Sequence, residues 1–583
     1  MHLHSLRLQR FRSCADVSVE LRPDLTVLVG ENNGGKSNVV DGLRVLTLPL
    51  NGRRDRYPED EDLRRGSTDA SFTIEGRYSG LSDTVKGLLI SAVPDPAQDL
   101  AIFGMRYETK AAGGLRGRTI FWAGRFNTAE PEPGATDLIR HVYLPPLRDA
   151  RQALGSGSAA RITALLQHFL EEGEEKGFLE HVKRKTEPHR VITAVNTEIG
   201  MALGNLAGGV RPQTASLGFA AEVLSDVARD LRFRLADAGL EPADIQSSGL
   251  GYANLLYMAT VVVELAKARE ADLTLFLVEE PEAHLHPQLQ LLVLDFLLDQ
   301  ARKSVRQTPE AGHPEGRIQV IVTTHSPNLT AWVSPEHLVV VRSVRDDNVR
   351  PPTYHTVMVP VAKLGLDKAA LNKVSRYLDV TRSALLFGNR ALLVEGIAEA
   401  VLLPVIARCI VLKDDDSAWQ RFRGAVLVPI DGVDFAPYVE VLIRPCNGCS
   451  IADRVVVMTD ADPSAPGNRK EDLEALATGW GVAERLKVFT NAVTLENELF
   501  SAENANILKA AFLALHPRSA DRWTSDVEQA AETGRAAAFV NVLTETRTRK
   551  GDFAQQLAAQ IEAGTAFTVP AYIKHAIEAI AAP

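Results

Sequence analysis

The stretch GENNGGKS, residues 30–37, constrains this chain more than any other, because few local structures suit its spacing. It follows the β-forming run LTVLV and precedes SNVVDGLRVL, whose apolar residues recur at helical intervals. Strand, glycine-rich loop and helix in that order make a phosphate cradle. The glycines let backbone N–H groups curl around the anion, and the helix N-terminus adds positive potential. Gly30, Asn33 and Gly35 shape the loop, Lys36 reaches the β- and γ-phosphates, and Ser37 ligates magnesium. The expected fold class is α/β.

The other half of such a site lies downstream. LTLFLVEEPEAHLHP is an apolar strand ending in acids; Glu279 is assigned to magnesium and Glu280 to orienting the attacking water. In VIVTTHSP, His325 stands at a third strand end, placed to sense the γ-phosphate. Between the phosphate loop and the acidic strand, QSSGLGYANLLYMA sets Ser248, Gly249 and Gly251 ahead of an apolar helix, either as a plain N-cap or as an ABC-type signature. The order of these motifs is the ABC order, which favours the signature and implies that ATP hydrolysis needs two protomers. His284 and His286 read as helix-start residues. No glutamine stands plainly at the Q-loop place, for which Gln98 and Gln152 are the candidates.

A chain of 583 residues holds roughly two to four domains. Its formal charge of −10 leaves DNA binding to local basic patches. Four cysteines make no disulfide framework, and the C-x-x-C of Cys446 and Cys449 lacks the second pair a zinc site needs. The N-terminus has no apolar signal core and no apolar run approaches about 18 residues, so a cytoplasmic protein without a membrane span is expected. The opening residues alternate as a hairpin, and SFTIEGRY (71–78) and AIFGMRYE (101–108) read as strands. Charge-dense helical spacing over 156–225 reads as an insertion. SVRDDNVRPPT marks a boundary, followed by a helical connector. The expected organisation is an ATPase in two parts (1–155 and 226–350) around that insertion, a helical linker (351–386) and a second α/β unit (387–583) with alanine-rich helices at its end.

The second unit alternates RALLVEG, GAVLVPIDG, RVVVMTDAD and RLKVFTNA with helices. Glu395 ends its first strand and Glu399 follows four residues on, which sets both on one helical face or at its first turn. Asp460 and Asp462 end a later strand, and Glu496 follows the next. Parallel strands gather their C-terminal ends on one edge, so these acids are expected to converge. Such a cluster suits two-metal phosphodiester cleavage, in which one ion activates water and another stabilises the leaving oxygen. Asp431 and Asp434 are explained by a turn and a helix cap. Lys550, beside Arg547 and Arg549, is either an exposed basic residue or a lysine that stabilises charge on the cleaved phosphate.

Taken together, GENNGGKSNVVDGLR, YLPPLRDA (143–150), LVEEPEAHLHPQLQ, IVTTHSPNL, LLVEGIAEA and VMTDAD resemble the OLD (overcoming lysogenisation defect) endonucleases across essentially the whole chain. The resemblance implies an ABC ATPase with a helical dimerisation insertion, joined to a C-terminal Toprim nuclease domain with helical additions. It implies metal-dependent DNA cleavage coupled to or regulated by ATP, with one magnesium at the nucleotide and two magnesium or manganese ions at the Toprim acids. Glu395 and Glu399 would serve as metal ligands and general acid/base, with Asp460, Asp462 and Glu496 as ligands. Lys550 resembles the C-terminal lysine of the helicase-associated class that includes the Gabija nuclease subunit. That class implies phage defence, a homodimer or tetramer, and a superfamily 1 helicase partner. The competing class is a RecF- or SMC-like ATP-switched DNA clamp that does not cut. A topoisomerase would need a tyrosine nucleophile in a partner domain, and a primase a zinc module; neither is legible here.

Overall fold

The protein is described by a computed structural model over residues 1–50, 52–110, 117–126, 129–146, 271–306 (except 284 and 286), 313–346, 352–377, 382–461 and 468–583, with short pieces between 162 and 260. Ser248, Gly249, Gly251, Gln152, His284, His286 and Asp462 lie outside the described residues, as does most of 156–225 apart from the helix Glu174–Lys185.

The first sheet is antiparallel. β1 (His2–Phe11) and β2 (Cys14–Glu20) form the opening hairpin, and β5 (Ser71–Ser79), β6 (Ala101–Glu108) and β7 (Arg118–Ala123) extend it in the order β2-β1-β5-β6-β7. Residues alternate between buried and accessible along β5, as expected of a sheet packed on one face. The second sheet runs β14-β13-β3-β12-β11-β8-β4. Its members are β3 (Leu25–Val29), β4 (Leu48–Pro49), β8 (Ile139–Leu144), β11 (Leu273–Glu279), β12 (Arg317–Thr324), β13 (Leu338–Asp346) and β14 (Thr353–Pro360). LTVLV and LTLFLVE are buried at every position because these parallel strands are covered on both faces. The helix Lys36–Leu46 buries Val39, Val40 and Leu43 in the core between the two sheets. A two-residue pair, β9 (Arg234–Leu235) with β10 (Ala243–Asp244), stands apart.

The span 351–386, read as a helical connector, begins differently. Thr353–Pro360 is a strand that pairs antiparallel with β13 and forms the sheet edge. Its run TYHTVMV carries β-branched residues whose inner ones are buried, and the helix Lys368–Tyr377 comes only afterwards.

The third sheet, β16-β15-β17-β18, is parallel throughout: β15 (Arg390–Val394), β16 (Val426–Pro429), β17 (Arg454–Thr459) and β18 (Leu486–Thr490). One face packs on the helices Ile397–Ile406, Lys550–Glu562 and Ala571–Ala581, among others, in a core of its own. The other face shares a continuous apolar core with the seven-stranded sheet, in which Val340 and Val322 belong to the same cluster as Leu393, Val455 and Leu442. The C-terminal ends of β16, β15, β17 and β18 therefore form one edge, and the acids of the second α/β unit sit along it.

Candidate functional sites

At the first site the chain turns from β3 into the helix Lys36–Leu46 through two glycines with positive φ, Gly30 at 144° and Gly35 at 106°. A Cβ on Gly30 would stand 2.1 Å from the Val341 carbonyl oxygen, and one on Gly35 2.2 Å from Thr356 Oγ1. β13 and β14 thus press on the loop and demand glycine there. The Lys36 ammonium donates to the carbonyls of Gly30 and Glu31, both at 2.7 Å, and lies 3.2 Å from His325 Nδ1. Burial lowers its pKa to about 8, against the charges of Glu280, Glu282 and Glu31.

Glu279 and Glu280 end β11 side by side but face different partners. Glu279 is buried and accepts a 2.8 Å bond from the Tyr143 hydroxyl. Burial raises its pKa, opposed by hydrogen bonds from Tyr143 and Ser37. Glu280, held at a φ of 45°, meets His325 Nε2 at 3.2 Å. His325 is in turn fixed by Glu282, whose Oε1 accepts from the His325 backbone N–H and from Thr324 Oγ1, each at 2.7 Å. Asn33, also at positive φ, lies in the same loop. Gly30, Gly35, Lys36, Ser37, Glu279, Glu280 and His325 thus gather at the ends of three adjacent strands, whereas Gln98 stands in a turn after Asp95. Tyr143 and Glu282 had no assigned part in the sequence reading. Tyr143 opens YLPPLRDA, and Glu282 stands inside EEPEAH; their positions at strand ends are the signal that could have found them.

The second site follows the third sheet's edge. Glu395 Oε1 accepts from the Asp460 N–H at 2.7 Å and from Arg469 Nη1 at 3.1 Å, and also from Thr459 Oγ1. Arg469 donates to the Asp460 carbonyl as well, at 2.9 Å. Asn491, following β18, donates through Nδ2 to the Asp460 carboxylate and accepts the Ala461 N–H at 3.1 Å. Glu496 is 5% exposed and bonds the Lys550 ammonium at 3.0 Å.

Like charges crowd here. Burial raises Glu399 to about 7, helped by the charges of Asp460, Glu395 and Glu496. Burial likewise raises Asp460 to about 6, helped by Glu395 and Glu496 and opposed by Asn491 and Lys550. Lys550 moves upward in spite of its own desolvation, because Glu496, Asp460 and Glu399 surround it. Among the described residues no three His, Cys, Asp or Glu side chains are arranged so that they could hold a metal ion. The hydrogen bonds account for this: Glu395 is turned toward Thr459 and Arg469, Asp460 toward Asn491, and Glu496 toward Lys550. The donor types nevertheless suit a hard divalent cation, since carboxylates along one edge offer hard oxygens, and the charges of Glu395 and Glu496 help to raise both Glu399 and Asp460. Arg469 and Asn491 were missed in the sequence, because contacts across neighbouring strands leave no trace in spacing. Asp431 and Asp434 lie on the adjoining turn, where Asp434 pairs with Lys373 at 2.8 Å. Arg547 takes a positive φ just ahead of the helix that Lys550 begins.

Cys446 and Cys449 are free thiols that bond each other's backbone across a tight turn, at 2.7 and 3.0 Å. Among the described residues no helix is long and apolar enough to cross a membrane.

A family described as AAA ATPase domain matches residues 1–99 and 179–330. The chain is similar to the Old nuclease of Escherichia phage P2, 24% identical over 441 residues that span 69% of each protein. It is similar to the OLD nuclease of Thermus scotoductus, 26% identical over 423 residues covering 68% of this chain and 72% of that one. It also aligns with the endonuclease GajA of Bacillus cereus, 20% identical over 504 residues, or 82% of this chain and 78% of that one.

Proposed function

We propose that this chain, a relative of the OLD ATPase–nucleases, is a metal-dependent DNA endonuclease whose cutting is regulated by ATP. The observation that carries the reading is the edge of the third sheet, where Glu399, Asp460 and Glu496 crowd a single lysine in a chain that also bears a phosphate loop. Glu395, Glu399, Asp460, Asp462 and Glu496 are the residues that would hold magnesium or manganese, which when bound supplies Lewis-acid stabilisation of the phosphate and an activated water. Lys550, its side chain 67% exposed, reaches a DNA phosphate and stabilises charge on it. Glu395 and Glu399 would also serve as the general acid/base of the cleavage. Asn491 and Arg469 orient Asp460 and Glu395 from behind.

At the first site, Lys36 and the loop N–H groups bind the ATP phosphates, Ser37 and Glu279 hold one magnesium, and Glu280 with His325 orients the attacking water. Ser248 and Gly249 belong to a signature that completes the partner protomer's site, so the working unit is a homodimer or tetramer built partly through 156–225. The ATPase occupies 1–155 and 226–350 and continues through the β14 strand; the remainder of 351–386 links it to a Toprim nuclease unit at 387–583 with helical additions. The setting of Lys550, which resembles that of the helicase-associated class, is the ground for proposing a cytoplasmic role in antiviral defence beside a superfamily 1 helicase.

The test is plasmid cleavage with magnesium or manganese, with and without ATP. Wild type is expected to nick or cut, Asp460→Ala to lose cutting, and Lys36→Ala to lose the response to ATP. A protein free of host nucleases that cuts under neither ion would refute the reading. Full cellular activity in Glu395→Ala, alongside loss in Lys36→Ala, would favour a clamp instead.

A further inference from the structure

We infer that Arg342 is a positioning residue through which the phosphate loop sets the strand that carries Asp460, so that the acidic site reads the nucleotide state. This rests on the ATPase–nuclease reading above and names how its two sites communicate.

The connection begins at the loop. The Val341 carbonyl oxygen lies 2.1 Å from where a Cβ on Gly30 would stand and 2.8 Å from one on Gly34, so two loop residues bear on one peptide group. β13 is also zipped to β3 in parallel up to Val29, the residue before the loop. Side chains alternate along a strand: Val341 enters the core between the two ATPase sheets, whereas Val340 enters the core shared with the nuclease sheet. Arg342 shares the face of Val340. It is 8% exposed, and its guanidinium spans to the nuclease unit, with Nη1 donating to the Ser450 carbonyl at 2.7 Å and Nη2 to Asp453 Oδ2 at 2.6 Å.

The segment it grips has little play. Ser450 Oγ donates to the Ile443 carbonyl and the Ala452 N–H to the Leu442 carbonyl, both at 2.7 Å, while the Asp453 N–H donates to Asn389 at 2.8 Å. β17 starts at the next residue and runs without interruption to Thr459, and Asp460 follows. A paired strand neither stretches nor compresses, so a displacement at its start is delivered to its end. At the other end of the path, the Lys36 ammonium holds the carbonyls of Gly30 and Glu31. A phosphate competing for that ammonium frees those carbonyls, and the loop's bearing on Val341 changes with them. A buried guanidinium with two charge-assisted or carbonyl bonds has few alternative placements, which makes Arg342 a stiff link.

The experiment uses the full chain, plasmid DNA, magnesium or manganese, and ATP, and reads the ratio of cutting rates with and without ATP. Coupling between sites typically spans roughly 5- to 150-fold, in either direction, and the wild-type ratio is expected in that range. In Arg342→Met, which keeps the apolar stem, the ratio is expected to fall within about twofold of one, while cutting without ATP and the affinity for a fluorescent ATP analogue stay near wild type. Asp453→Asn tests the same contact from its exposed side and is expected to move the ratio the same way without threatening the fold. A folded protein whose two variants keep the wild-type ratio overturns the inference and leaves the ATP-regulated nuclease reading standing; a wild type that cuts equally with and without ATP overturns it too, and leaves only the nuclease part of that reading. A wild type that never cuts removes the nuclease reading and this inference with it.

Discussion

Asn491 touches Asp460 with its amide nitrogen and the following backbone N–H with its oxygen, so one side chain fixes both the carboxylate and the turn that bears it. Partners that orient metal ligands in this way commonly matter by about 10- to 100-fold in metal affinity. Asn491→Ala is expected to weaken manganese binding by about that factor in calorimetric titration while leaving the fold intact. Unchanged affinity would reduce Asn491 to a turn residue. The acids themselves make a pH prediction. Glu399 and Asp460 have folded pKa values near 7 and near 6, above their ordinary values of 4.5 and 3.8, so the folded state binds more protons between those limits. Their contribution to stability is fully present below the ordinary values and is lost as pH rises through about 6 and 7. In EDTA the melting temperature should therefore fall between about pH 5 and pH 8, and Glu399→Gln should flatten that slope. A slope that Glu399→Gln leaves untouched would place its source elsewhere.

At the scale of elements, the helix Lys550–Glu562 shows how packing positions chemistry. Lys550 is its first residue, and Phe553, three residues on and 3% exposed, packs against Phe539 at 5.7 Å between ring centroids. Phe539 in turn meets Trp523 and Phe500, at 5.6 and 5.3 Å. Phe553→Ala should cost about 3–5 kcal/mol by opening this cluster. Cutting should fall with it, as the lysine loses its footing. Lys550→Met should lose cutting with little change in melting temperature, and the contrast between the two variants separates support from chemistry. Elements of this kind were legible to different degrees. β3, β11, β12, β15 and β17 announce themselves as apolar runs ending in polar residues, and with them came Lys36, Glu279, Glu395 and Asp460. β14 was hidden because the polar run before it reads as a boundary, and only pairing with β13 makes TYHTVMV an edge strand. Arg469 was equally hidden: it reaches Glu395 from 74 positions away in the chain, a distance no local pattern encodes.

Across the whole molecule, the seven-stranded and four-stranded sheets bury their facing sides in one apolar core rather than two. Val340 in the seven-stranded sheet and Val455 in the four-stranded sheet are both fully buried in it, and Leu442, in the helix Ala436–Ile443, belongs to the same cluster at 1% exposure. Residues in such a cluster respond to a cavity together, because a close-packed interior transmits the loss to its neighbours. Leu442→Ala should cost about 2–5 kcal/mol. The loss should not remain within the four-stranded unit: thermal inactivation of ATP hydrolysis and of DNA cutting should shift downward by similar amounts. The measurement is residual activity of each kind after stepwise heating. Were cutting to fail earlier while ATP hydrolysis kept its wild-type midpoint, the two sheets would be melting as independent units. The shared core would then be a surface of contact rather than a common interior.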